Sequence, residues 1–71
     1  EKMREYNKAR KYYRKATSTD PEFDEAFFRI GQAYKMEKRY PEALSSIERA
    51  HKLYPDNVFY LKAMGEVNLA L

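Results

Sequence analysis

The chain has 71 residues, 44% hydrophobic and 35% charged, with a single histidine, no cysteine and a net charge of +3. That length limits it to one domain, the missing cysteines exclude a disulfide framework or a thiolate metal site, and no apolar run approaches the roughly 20 residues of a membrane span. The charge is uneven: residues 1–17 carry seven Lys/Arg and two Glu (+5), and residues 18–31 carry one Arg and four acids (−3).

Residues 2–17 predict an amphipathic helix. Tyr6, Ala9, Tyr12, Tyr13 and Ala16 form its apolar stripe, and Arg4, Lys8, Lys11 and Lys15 its solvated one. Thr17-Ser18-Thr19-Asp20-Pro21 breaks the pattern, because proline disfavours helix before it and has no N–H to donate. Pro21 is expected to open a second helix capped by Asp20, with Glu22, Asp24 and Glu25 at the positive end of the dipole. This helix runs to about Glu37 and buries Phe23, Ala26, Phe27, Ile30, Ala33 and Tyr34. Pro41 opens a third, running to about Leu53, with Tyr40, Ala43, Leu44, Ile47, Ala50 and Leu53 inward. After Tyr54-Pro55, a cap at Asp56 or Asn57 starts a fourth, with Leu61, Met64, Gly65 and Leu69 inward. No segment alternates long enough to be a strand. Short connections make successive helices antiparallel.

The pattern repeats at 34 residues. Ala9 returns as Ala43, Ala16 as Ala50, Pro21 as Pro55 and Gly31 as Gly65; Tyr13 becomes Ile47, Phe27 becomes Leu61 and Ile30 becomes Met64. Such a period marks stacked supersecondary units. Glycine inside a helix costs about 1 kcal/mol relative to alanine, so Gly31 and Gly65 predict close approach of a partner helix, with Ala43 and Ala50 as its small surface.

No catalytic constellation appears. With two glycines there is no phosphate-binding glycine loop, and Ser18, Ser45 and Ser46 have no arrangement with His51 that makes a nucleophile. His51 is expected to be a partly exposed residue near the dipole's favourable end. Glu22, Asp24 and Glu25 are expected to serve the first turn rather than a divalent ion. No cofactor and no metal are expected.

The sequence Phe27-x2-Ile30-Gly31-x2-Tyr34, followed by Ala43-x3-Ile47, Ala50 and Pro55, resembles the tetratricopeptide repeats. The resemblance implies an all-α, antiparallel helical-hairpin solenoid of about four helices. Residues 1–23 would be the second helix of a preceding repeat plus a turn, 24–57 one complete repeat, and 58–71 the first helix of a following repeat. Because the chain starts at Glu1 and stops in an apolar stretch, it is expected to be part of a longer array. Lys38-Arg39 stands where the family often carries glycine, which argues against a left-handed helix cap there. Asn68 stands where the family's tyrosine would fall.

The resemblance also implies a non-enzymatic scaffold for protein–protein interaction; the absence of cysteine fits a reducing compartment, and a cytoplasmic location is expected. With the helical phase, it assigns a partner-binding groove to Glu25, Phe28, Gln32, Lys35 and Met36 on the second helix and to Phe59, Lys62 and Glu66 on the fourth. Phe28 and Gln32 do not match the family's clamp for a C-terminal carboxylate. The occupant expected is a protein or peptide, held as an extended segment or a helix. The alternative is self-assembly into a homo-oligomer through exposed ends, with Tyr12 at one and Leu61, Leu69 and Leu71 at the other. The basic first helix could also meet nucleic acid, a weaker case because Tyr6, Tyr12 and Tyr13 fall on the other face.

Overall fold

Four helices follow one another in the computed structural model: α1 (Lys2–Thr19), α2 (Asp24–Met36), α3 (Tyr40–Leu53) and α4 (Val58–Ala70). It describes the backbone of residues 2–71 and side chains from Glu5 onward. Among these residues there is no strand. Each helix packs on the next in the chain, and α3 lies against both α2 and α4. The Cα atoms span 34 × 30 × 15 Å, and 15 Å is the thickness two helical layers require at a separation of about 10 Å.

The core is Ile30, Tyr34, Ala43, Ile47, Ala63 and Val67, with Tyr13, Phe28, Tyr40, Leu44 and Met64 packed around it. Its tightest point joins α2 to α3. A β-carbon on Gly31 would stand 2.4 Å from Cγ1 of Ile47 and 3.1 Å from the carbonyl oxygen of Ala43. Glycine is therefore required by close approach, as the repeat predicts. Ala43, Ile47 and Ala50 are all fully buried, and the Arg49 guanidinium covers the Phe27 ring at 4.9 Å.

Arginines join α1 to α2. Arg10 donates to both carboxylate oxygens of Glu37 at 2.8 and 2.9 Å and bonds the Asn7 side chain. Only 9% of the Arg10 side chain and 2% of the Glu37 side chain reach solvent. The Arg10 and Arg39 guanidinium groups lie 4.5 and 4.9 Å from the centroid of the Tyr34 ring, and Arg14 bonds its hydroxyl. Burial alone would lower the Arg10 pKa, but the Glu37 carboxylate raises it on balance.

The ends of the helices differ from expectation in three places. The second helix begins at Asp24, not Pro21, and Phe23 occupies the cap position without a side-chain bond. The Asp20 carboxylate instead accepts the N–H of Glu22 at 3.1 Å, closing a turn around Pro21 before the helix starts. Phe23, expected inside, is consequently exposed. The first helix continues to Thr19, where the Thr19 hydroxyl donates to the Lys15 carbonyl. At the end of α2, Lys38 takes a left-handed conformation with φ of 63°, and the N–H of Arg39 reaches back to the Tyr34 carbonyl at 2.9 Å. That closing bond supplies the left-handed cap without a glycine. The remaining signals hold: Pro41 lies in the first turn of α3, and Asn57 caps α4 by accepting from Phe59 and Tyr60 N–H at 2.9 and 3.3 Å.

Two buried faces also differ. Tyr12, placed in the apolar stripe of α1, is 71% exposed. The other four stripe residues, Tyr6, Ala9, Tyr13 and Ala16, are half-buried, as is Thr17, and the buried residue among those described in this helix is Arg10. In α4 the inward side is Tyr60, Ala63 and Val67 with half-buried Met64, whereas Leu61 and Leu69 are 48% and 91% exposed. Beyond the local backbone of α4 and the two neighbouring residues, no described atom lies within 4 Å of a β-carbon built on Gly65. The physical reason is that α4 meets α3 and α2 on one side only, and its Leu61–Gly65 side faces away from both.

Candidate functional site: the face shared by α2 and α4

Side chains tie α2 to α4 at two levels. Near their starts, the Tyr60 hydroxyl donates to the Asp24 carboxylate, and the Phe28 and Tyr60 rings meet at a tilt of 43° with centroids 4.8 Å apart. Further along, Lys35 donates to Glu66 at 2.8 Å. Early residues of one helix meet early residues of the other, and late meet late, so the two helices run parallel. Phe28 and Lys35 are two turns apart, about 10 Å along the axis.

Seven of the eight residues assigned to this face fall into an aromatic end and a charged end. Glu25, Phe28 and Phe59 border one depression of about 400 Å³, together with Asp24, Arg29 and Tyr60. Phe59 is 70% exposed within it. Lys35 and Glu66 form the ion pair at the other end, and Gln32 is half-buried in the same helix. Lys62 is exposed on α4, one turn before Glu66. Met36 is exposed at the last residue of α2 and is not brought to the depression.

Electrostatics follow from this arrangement. Burial first, and the Asp24 carboxylate second, push the Tyr60 hydroxyl well above its ordinary pKa. The hydrogen bond and charge of Lys35 hold Glu66 below the usual carboxylate range. Glu25 meets Arg29 at 3.4 Å, four residues on in the same helix. Lys62 makes no ion pair among the described residues. The face thus offers aromatic surface flanked by paired charges and by Lys62, whose charge adds to the field on Glu66 without a direct ion pair.

Tyr60 and Asp24 were not anticipated as part of this face. Tyr60, Ala63 and Val67 do follow at spacings of three and four, but the apolar neighbours Val58, Phe59 and Leu61 offer competing phases. Elsewhere, Lys8, Lys11 and Lys15 are exposed on α1 as expected. The Tyr12 ring stands edge-on to Tyr13 at 5.3 Å and is open to solvent rather than in the core. His51 is half-buried near the end of α3, and its Nδ1 has no hydrogen-bond partner among the described residues. No group of three His, Asp or Glu side chains among the described residues could hold a metal ion. No described helix is long and apolar enough to cross a membrane.

Comparison with protein families gives two matches. Models described as tetratricopeptide repeat match residues 1–23 and residues 24–57. A search of the curated proteins gives no match.

Proposed function

The chain belongs to the tetratricopeptide-repeat family, and from that premise we propose that the face shared by α2 and α4 holds a segment of a protein partner. Repeats of this family generally mediate protein–protein interaction. The chain acts without catalysis, as a platform in which α2 and α4 present side chains and α1 and α3 support them. Residues 24–57 form one complete repeat, 1–23 the second helix of a preceding one with its turn, and 58–71 the first helix of a following one. A cytoplasmic location accords with the absence of cysteine.

The observation that carries the reading is Phe59. It is a large aromatic left open beside the Phe28–Tyr60 pair, at the edge of a depression the chain does not fill. An aliphatic or aromatic side chain of a partner would remove that ring from water, the role anchors play at protein interfaces. The unpaired ammonium of Lys62 favours an acidic residue in the same segment, one to two turns along. Lys35 and Glu66 pair across the two helices at 2.8 Å, at the end of the seat away from Phe59.

The test is selection of binders from a displayed library of random peptides, followed by affinity measurement on variants. Phe59→Ala is expected to weaken selected peptides by about 2 kcal/mol, some thirty-fold. Lys62→Glu should weaken acidic peptides and spare neutral ones, and Glu48→Lys on α3 should leave all of them unchanged. Peptides that bind Phe59→Ala and Lys62→Glu as well as the parent chain would contradict the assignment.

A further inference from the structure

Along the α2–α4 face the charges are sorted by sign. Asp24 and Glu25 stand in the first turn of α2 at the aromatic depression, which Arg29, Asn57 and Phe59 also border. Asp56 directly precedes Asn57, the cap of α4, and is exposed at the same end. Three carboxylates against one guanidinium leave −2 there. The positive ends of the α2 and α4 dipoles, about half a charge each, offset part of this and do not reverse it. After burial, both Asp24 and Glu25 raise the Tyr60 pKa, so their field reaches the ring beneath the depression.

The other end carries the opposite sign. Lys35, Lys38 and Lys62 are set against Glu66, leaving +2. Glu37 and Arg39 add nothing to that sum, being matched by Arg10 and Glu42. Lys38 is exposed just past α2, and Lys62 is exposed one turn after Phe59. The carboxyl of Glu66 is held down first by Lys35 and then also by Lys62, which places both ammonium fields on this face. From Asp24 to Lys35 is about 16 Å of helix, a length that an extended segment covers in about five residues.

We propose that the segment received here carries a basic and an acidic side chain on opposite sides of its apolar anchor, the basic one seated at Asp24 and Glu25 and the acidic one at Lys62, so that charge order fixes which way the segment lies along α2 and α4. The inference rests on the α2–α4 face being the binding face, and adds to it the sequence class and the direction of the occupant. A lysine or arginine suits the first position because its aliphatic stem lies on aromatic surface while its charge reaches the carboxylates. A segment laid the other way brings like charges together at both ends, which costs affinity at each.

Two displayed peptide libraries with leucine fixed at the centre test the proposal. One fixes lysine two residues before the leucine and glutamate two residues after it; the other exchanges the two. Selected peptides are spin-labelled beside the lysine and added to the isotope-labelled chain. The label is expected to broaden the amides of Glu25 and Asn57 more than those of Lys35 and Glu66, and a label beside the glutamate to do the reverse. Both libraries should give this pattern, because the lysine takes the same end whichever way the peptide chain runs. Replacing that lysine with glutamate should weaken binding about fivefold. The triple variant Glu25→Lys, Asp56→Lys, Lys62→Glu, at three exposed positions, should exchange the two broadening patterns; if it loses its helical circular dichroism, the labels on the unmodified chain decide alone. Labels that broaden both ends equally, or that follow peptide chain direction instead of charge, overturn the proposal and leave the binding face standing. So does a failure of both libraries while wholly random peptides still shift Phe28 and Phe59. Peptides that shift only α1 and α3 remove the face itself, and the proposal with it.

Discussion

Ile47 occupies the space that any side chain on Gly31 would need: its Cγ1 lies 2.4 Å from the β-carbon position. Ile47 is itself fully buried, in the core with Ile30, Tyr34, Ala43, Ala63 and Val67. The second repeated glycine is the contrasting case, because the β-carbon position of Gly65 is open. Gly31→Ala should therefore destabilise the chain by about 1–3 kcal/mol through overpacking. Gly65→Ala should stabilise it by about 0.5–1 kcal/mol through helix propensity alone. Thermal melts at low concentration check the pair, and equal shifts of the same sign would contradict the α2–α3 packing.

Arg10 and Glu37 make a second contact of this kind, now between α1 and α2. Removing only the guanidinium leaves a carboxylate that is almost wholly out of solvent. Arg10→Ala should cost about 3–5 kcal/mol. Replacing both partners, as Arg10→Met with Glu37→Leu, should recover most of that loss, because a well-packed apolar pair is an adequate substitute for a buried ion pair. Urea denaturation of the two variants gives the comparison; a double variant no more stable than the single one would count against it.

The left-handed Lys38 gives a third expectation. A β-carbon in that conformation costs roughly 1–2 kcal/mol, and glycine relieves it at an entropic cost in the unfolded chain of about 0.5–1 kcal/mol. Lys38→Gly should therefore raise the melting temperature by a few degrees. Lys38→Val, β-branched at the same φ, should lower it.

Tyr60 sets an alkaline limit. Its hydroxyl is neutral in the fold and held above the ordinary tyrosine pKa, first by burial and then by Asp24. The associated stability is fully present below the unfolded-chain value of about 10 and is lost as pH rises from there through the folded value. Among the seven tyrosines, ultraviolet titration should resolve a late phenolate that coincides with unfolding. Tyr60→Phe should abolish that late step and flatten the fall in stability above about pH 10. An unchanged titration curve would contradict the buried Asp24–Tyr60 contact.

Particular residues show where sequence reasoning succeeds and where it stops. Gly31, Ala43, Ile47 and Ala50 were readable because size and spacing agree across two periods, and small residues at a helix contact have a direct steric meaning. Arg10 was not, because helical phase assigns a charged residue to solvent and nothing local points to Glu37, 27 positions away. The inward side of α4 was not, because Val58, Phe59, Tyr60 and Leu61 are apolar in succession and periodicity cannot choose among them. The register of the repeat names the Leu61–Gly65 side, which in this chain faces outward. At the candidate site, the family phase brought Phe28, Lys35, Phe59 and Glu66 onto one face. It did not anticipate that Tyr60 would close that face from below, because that needs the separation of α2 and α4, a tertiary quantity.

The central claim is that the α2–α4 face, and not the basic α1 or the outer side of α3, receives the partner. Amide chemical-shift mapping of the isotope-labelled chain against a library-selected peptide tests it most directly. The account predicts shifts concentrated at Glu25, Phe28, Gln32, Lys35, Phe59, Lys62 and Glu66, with Lys8, Lys11, Lys15, Ser45 and Glu48 unmoved. Shifts confined to α1 and α3 would contradict it.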